Sequence, residues 1–214
     1  VVGARDDIDV ASITDEDERG FAELLALQEA VLHKDLKYRF VLLDNLSEVL
    51  SLATNHILRT LPRPNINADE RPDIRDWNFI TMEMLSYVRK WRDWSRNSGS
   101  TIVFVAWEHS PREAERSKRV RTQTNPAFSE RFPGIVDVVG HLTVRAGKDM
   151  LRELDFRASD YTDAKMRRNE TTRLAKLPLR FRYTLADKPM VDILNVLRGG
   201  KDWPTEKYTR GGKA

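Results

Sequence analysis

The sequence predicts an α/β fold class, with a mostly parallel sheet flanked by helices and a C-terminal antiparallel hairpin. Two continuous apolar runs, Phe40–Leu43 and Ile102–Ala106, are typical of strands buried on both faces of a parallel sheet. Residues at helical spacing fill the interval between the runs, and this order favours parallel strands joined by helical crossovers. Further on, Ile135–Arg145 and Met150–Arg157 predict two strands around a turn at residues 146–149.

The other elements follow from periodicity and capping residues. Three amphipathic helices are predicted in the first half of the chain, over residues 14–32, 45–61 and 74–97. Thr14 and Asn45 begin the first two as N-caps, because their side-chain oxygens can accept hydrogen bonds from free backbone N–H groups. Leu177–Tyr183 predicts a last strand, and Lys188–Leu197 predicts a short helix.

Composition limits the class of protein. The 214 residues are 40% hydrophobic, which suits one domain with a real core. We expect residues 1–198 to form that core and residues 199–214 to form a flexible basic tail. The absence of cysteine excludes disulfides and thiol nucleophiles. With no apolar run long enough for a membrane span and no visible signal peptide, we expect a cytoplasmic protein.

Polar residues follow the first apolar run. A carboxylate at the end of a buried strand, here Asp44, is what a nucleotide-binding site uses to hold Mg²⁺, usually through water. The alternative is that Asp44 only caps the next helix, a role for which Asn45 is also available.

The second strand end carries Glu108 and His109. A polar group there could sense a γ-phosphate or position water, and the alternative is an ordinary hydrogen-bonded loop residue. A metal-dependent nuclease that uses Asp44 and Glu108 is a further reading, although nucleases usually cluster more carboxylates.

Two groups of basic residues are candidates for phosphate binding. The first lies within ten residues and consists of Arg112, Arg116, Lys118, Arg119 and Arg121. A basic loop of this kind could grip a nucleic-acid backbone, but it lacks interleaved aromatic residues, so a solvated surface loop is an equal alternative. The second group, with Lys165 and Arg167, could reach a phosphate on a neighbouring subunit, or could be solvated.

A phosphate loop is not found in these residues. The chain has three Gly-Lys pairs, at residues 147, 200 and 212, and none has a glycine five positions earlier or a following Ser or Thr. ATP binding therefore cannot be predicted from that motif.

The order of the remaining motifs resembles a known family. The segment Tyr38–Ser47 resembles the Walker B strand of RecA-like ATPases, and the chain is most similar to phage-type AAA/RecA-like P-loop ATPases, nucleotide-binding proteins linked to single-strand annealing and recombination. Asp76-Trp77, Ile102–His109, Asn125–Phe128 and Ala164–Arg167 match further motifs in order, and the resemblance covers about residues 5–170.

The resemblance implies a RecA-like P-loop NTPase core that binds ATP and Mg²⁺. Asp44 would coordinate Mg²⁺ with Asn45 beside the nucleotide, and Glu108 or His109 would be the sensor of the γ-phosphate. Residues 110–128 would form the DNA-binding loop, and Lys165 and Arg167 would face a nucleotide held between subunits of a homo-oligomer.

The resemblance also implies partners and a missing segment. Single-stranded DNA and a phage single-strand-binding protein would be the partners, in the cytoplasm of the host. Because family members carry a strand and a phosphate loop before the position of Val1, we expect a chain truncated at its N-terminus, with ATPase activity in the full-length protein. The alternative is a non-catalytic α/β interaction module of a phage replication complex.

Overall fold

The two apolar runs of the sequence form a pair of parallel strands. In a computed structural model of the chain, β1 (Phe40–Leu43) lies beside β2 (Thr101–Phe104), with Phe40 opposite Thr101 and Leu43 opposite Phe104. The structure describes residues 9–15, 19–33, 38–60, 72–109, 121–144, 151–159, 162–167, 173–184, 187–197, 199–205 and 207–208. The chain divides into two units: unit 1 comprises Val1–Trp107 and Thr122–Arg131, and unit 2 comprises Glu108–Arg121 and Phe132–Ala214.

Three helices accompany the parallel strands in unit 1. They are α1 (Gly20–His33), α2 (Leu46–Thr60) and α3 (Ile74–Ser98). Their apolar stripes form the core of the unit, where Phe21, Leu46, Ile80, Met84 and Val88 are almost fully buried. The continuous apolarity and the helical spacing in the sequence predict these elements correctly, because the same residues that set the pattern are the ones that pack.

The start of α1 differs from the prediction. The helix begins at Gly20 and not near Thr14, and the Asp15 carboxylate accepts a hydrogen bond from the Gly20 amide at 3.2 Å. A Cβ atom on Gly20 would lie 2.8 Å from Leu52 Cδ2 and 2.9 Å from the Thr14 carbonyl oxygen. The chain therefore approaches α2 closely at this point, and glycine permits that approach.

The third helix is fixed at both ends. At its N-terminus, the Asp73 carboxylate accepts from the Asp76 amide at 2.8 Å, and the Asp76 carboxylate accepts from the Asp73 amide at 3.0 Å. At its C-terminus, Gly99 adopts a left-handed conformation with φ of 69°, which confirms the predicted stop.

Unit 2 contains the antiparallel strands. Strands β6 (His141–Val144) and β7 (Arg152–Asp155) pair antiparallel, which confirms the predicted hairpin, and β9 (Arg180–Tyr183) adds to the other side of β7. Val138–Val139 (β5) pairs with Lys165–Met166 (β8). Because the parallel sheet has two strands in the described residues and the three-stranded sheet is antiparallel, a mostly parallel sheet stays a prediction.

The middle segment and the C-terminal segment differ from the sequence interpretation. Helix α4 (Pro126–Ile135) occupies residues expected to be loop, so the first hairpin strand begins at His141 and not at residue 135. Two-residue strands, β3 (Glu108–His109) and β4 (Arg121–Thr122), precede it in the chain.

The segment expected to be a flexible tail contributes to the core of unit 2. Helix α5 (Pro189–Leu197) precedes it, and Tyr208 is buried together with Phe156, Phe181 and Val196. The rings of Trp203 and Tyr208 stack with their centroids 4.7 Å apart. Burial of large aromatic side chains is strongly favourable, so these residues pack although the glycines and lysines near them suggested a flexible tail. Among the helices that the structure describes, none has the length and apolar character needed to cross a membrane.

Candidate nucleotide site and neighbouring pocket

Asp44 lies at the carboxyl end of β1, and it does not cap the helix that follows. The Asn45 side-chain oxygen accepts a hydrogen bond from the Glu48 amide at 2.9 Å, so Asn45 is the cap of α2. Asp44 is exposed, and its carboxylate forms no hydrogen bond or ion pair within the part of the chain that the structure describes. The side chain is therefore available to a cation or to water that a cation holds.

Backbone hydrogen bonds join the two strand ends around Asp44. The Val105 amide donates to the Leu43 carbonyl at 2.9 Å, and the Leu46 amide donates to the Val105 carbonyl at 2.7 Å. One residue pair further, the Trp107 amide donates to Ser47 Oγ at 3.3 Å. The carboxyl ends of β1 and β2 thus lie at one edge of the sheet, where open α/β sheets bind ligands.

An open pocket of about 560 Å³ lies beside this edge, within unit 1. Trp77 from α3 and Trp107, three residues after β2, line it, together with side-chain hydroxyls and amides from α2, α3 and the residues just before α4. We call it the tryptophan pocket. The two indole side chains remain 37% and 51% exposed, respectively, so both are accessible to a ligand.

Buried hydrogen bonds hold the floor of the tryptophan pocket. Asn125 Nδ2 donates to Thr81 Oγ1 at 2.9 Å, and Asn125 Oδ1 accepts from the Phe128 amide at 2.7 Å. Thr81 Oγ1 in turn donates to the Trp77 carbonyl at 2.7 Å. Since Asn125 and Thr81 are both buried, these bonds fix the start of α4 against α3.

The sensor candidates belong to unit 2. Glu108 and His109 form β3 and are both exposed. Glu108 Oε2 lies 2.6 Å from His141 Nε2, and this pair becomes an ion pair when the imidazole is protonated. Sequence reasoning did not find His141, because 33 residues separate it from Glu108 and no local pattern in the sequence indicates the contact.

Lys165 and Arg167 also belong to unit 2 and lie close together. The Arg167 guanidinium donates to the Gly134 carbonyl, and its second nitrogen donates to Asp137 at 3.3 Å. Burial lowers the pKa of Lys165, and the neighbouring Arg167 charge lowers it further. An arginine in these contacts would have to leave Asp137 to reach a nucleotide on another subunit.

The remaining predicted residues cannot be placed in the same way. Arg112, Arg116, Lys118 and Arg119 lie outside the described residues, and for Arg121 the structure describes only the backbone, in β4. Asp44 and Asn45 are in unit 1, whereas Glu108, His109, Lys165 and Arg167 are in unit 2. No cluster of three or more metal-ligating side chains occurs among the described residues, so the nuclease interpretation gains no support from them.

The parallel strand pair and its flanking helices form an α/β unit, and ligands of open α/β sheets bind at the edge where these strands end. A family model described as an AAA domain matches residues 5–168, which is well over half of the chain. The chain therefore belongs to the AAA domain family, an AAA-type family of P-loop ATPases that bind nucleotide and generally use ATP and Mg²⁺. No curated protein and no solved structure matches the chain.

Proposed function

We propose that this chain belongs to a RecA-like protein that binds and hydrolyses ATP and acts on single-stranded DNA during phage recombination or replication. The observation that carries the proposal is the position of Asp44. Asn45 supplies the helix cap, and the exposed Asp44 carboxylate has no hydrogen-bond or ion-pair partner among the described residues, so it is available at the end of β1. A carboxylate there can hold water molecules of a Mg²⁺ ion bound to ATP, and the ion would neutralise charge that develops on the phosphates.

In this proposal, the residues after β2 serve the γ-phosphate. Glu108 can accept a proton from an attacking water or orient it, with His141 holding the carboxylate in place at 2.6 Å. His109 is the competing sensor. The basic residues between Arg112 and Arg121 grip the DNA backbone, and Lys165 and Arg167 face a nucleotide across an interface between copies of the chain.

Steady-state ATP hydrolysis by the whole gene product, with and without single-stranded DNA, tests this function. We expect DNA to stimulate hydrolysis in the wild type. We expect Glu108→Gln to lower the rate by about 10²–10⁴-fold if Glu108 positions the water, with His109→Gln nearly unchanged. The reverse pattern would assign the sensor to His109.

Two outcomes would count against the proposal. If the whole gene product neither binds nor hydrolyses ATP, the alternative of a non-catalytic interaction module of a phage replication complex is favoured. If hydrolysis occurs but DNA and a phage single-strand-binding protein have no effect on it, the DNA part of the proposal fails.

A further inference from the structure

We propose that the tryptophan pocket binds an unpaired base of single-stranded DNA by stacking on Trp77 and Trp107. The inference deepens the proposed function and rests on its DNA part. It assigns base contacts to residues outside the basic segment, in a pocket lined by α2, α3, the residue Trp107 after β2 and the residues at and just before the start of α4.

The chemistry of the lining favours a base and not a phosphate. None of the described residues that line the pocket carries a charge, so nothing among them would neutralise a phosphate. The indoles offer planar apolar faces, and Asn78 and Gln123 are exposed amides that can pair with the polar edge of a base. A volume of about 560 Å³ lies within the usual range of small-ligand sites.

In the sequence, the basic segment lies between two residues of the pocket, Trp107 and Gln123. The Gln123 amide donates to the Trp107 carbonyl at 2.7 Å, so the two residues that flank this segment lie next to each other. That segment contains the five basic residues from Arg112 to Arg121. Binding of a single strand commonly combines cationic contacts to the backbone with aromatic stacking of the bases. The sequence showed only the cationic part, and the fold adds the aromatic part, with Trp107 just before the segment and Trp77 on α3 in the same pocket.

Hydrogen bonds fix the backbone at both tryptophans. The capping box of Asp73 and Asp76 fixes the first turn of α3, from which Trp77 projects. Trp107 is anchored through its amide to Ser47 Oγ and through its carbonyl to Gln123. Because the backbone of the site is already fixed, little backbone entropy is lost when a base enters it.

Titration of fluorescein-labelled oligothymidylate with the whole gene product is the direct test. We expect Trp77→Ala and Trp107→Ala each to weaken binding by about 5- to 150-fold, the effect of losing about 1–3 kcal/mol of stacking. Phe79→Ala is the matched control, because Phe79 lies on the same helix, is also 37% exposed and does not line the pocket. Trp77→Phe and Trp107→Phe should keep most of the affinity, which separates lost stacking from a damaged fold.

An abasic oligonucleotide of the same length and a salt series complete the design. Removal of the bases should weaken wild-type binding and make the two tryptophan-to-alanine changes nearly neutral. The tryptophan variants should keep the wild-type salt dependence, because they remove no phosphate contact.

The outcomes separate this inference from the proposed function. If the wild type binds no oligonucleotide under any condition, the DNA part of the proposed function fails and this inference fails with it. If the wild type binds and the tryptophan variants bind equally well, only the inference is wrong. If free ATP or adenosine displaces the oligonucleotide from the pocket while the tryptophan variants lose ATP affinity, the pocket holds the base of the free nucleotide and the assignment to DNA is overturned.

Discussion

Replacement of Asn125 by alanine should destabilise unit 1, since this side chain makes two buried bonds at once. Its oxygen caps α4 by accepting from the Phe128 amide at 2.7 Å, and its nitrogen donates to Thr81 Oγ1 at 2.9 Å. Loss of an N-cap costs about 0.5–2 kcal/mol. Loss of a hydrogen bond between buried neutral groups costs about 0.5–1.5 kcal/mol more. We therefore expect the free energy of unfolding to fall by about 1–3.5 kcal/mol.

Urea unfolding followed by circular dichroism measures this loss of unfolding free energy. Two further variants separate the contribution of the helix cap from that of the bond to Thr81. Asn125→Ser keeps a good cap residue but is too short to hold Thr81, so we expect it to lose only the second contribution. Thr81→Val removes the partner, and its effect should not add to that of Asn125→Ser. If Asn125→Ala unfolds within about 0.5 kcal/mol of the wild type, the buried network does not hold the pocket floor.

Three other expectations follow from the packing of unit 2. Glu153 is 6% exposed and pairs with arginines on β9. Glu153→Ala should therefore lower the free energy of unfolding by about 2–3 kcal/mol, less than for a fully buried pair because those arginines are partly exposed. Urea unfolding measures the change, and a loss below about 0.5 kcal/mol would contradict the reasoning. Burial would raise the pKa of Asp192, but hydrogen bonds from Lys207 and Tyr208 outweigh it and lower the pKa. The stabilisation by Asp192 is therefore present above the ordinary carboxyl pKa of about 4 and is lost as pH falls through the lowered value. Asp192→Asn should make the free energy of unfolding depend less on pH on the acid side. An unchanged pH dependence would refute the assignment. Gly140→Ala should lower the free energy of unfolding by about 1–3 kcal/mol, because the new Cβ would lie 2.7 Å from a Phe156 ring carbon. In Gly134→Ala the new Cβ meets nothing within 4 Å and lies in a helix, so this variant should be more stable by up to about 1 kcal/mol. The thermal unfolding temperatures of the two variants should shift in opposite directions, and shifts of the same sign would contradict this.

The sequence predicts the elements whose local signals agree with their packing. The apolar runs of β1 and β2 and the capping and stop residues of α3 are examples, since pattern and burial there express the same physics. Helix α4 was not predicted, because Pro133 lies inside it and the residues before it in the sequence are mostly polar. The signal that could have found it is Asn125 followed by Pro126, a cap residue before a proline in the first turn.

Contacts between distant residues could not be predicted in this way. Asp44 was a candidate from the sequence, but only the fold shows that Asn45 takes the capping role and leaves the carboxylate available. Trp77 and Trp107 are 30 positions apart, and nothing in either local pattern indicates a shared pocket. The aromatic residues near the C-terminus were likewise overlooked, because their burial depends on strands and a helix that come earlier in the chain.

The measurement that tests the central claim most directly is ATP binding by the whole gene product in the presence and absence of Mg²⁺, by isothermal titration calorimetry. We predict that Mg²⁺ tightens ATP binding in the wild type, and that Asp44→Asn removes this gain while the protein still folds. Asp93→Asn makes the same chemical change at an exposed position on α3 and should leave the Mg²⁺ effect intact. Equal Mg²⁺ dependence in the wild type and in Asp44→Asn would contradict the assignment of Asp44 to the metal.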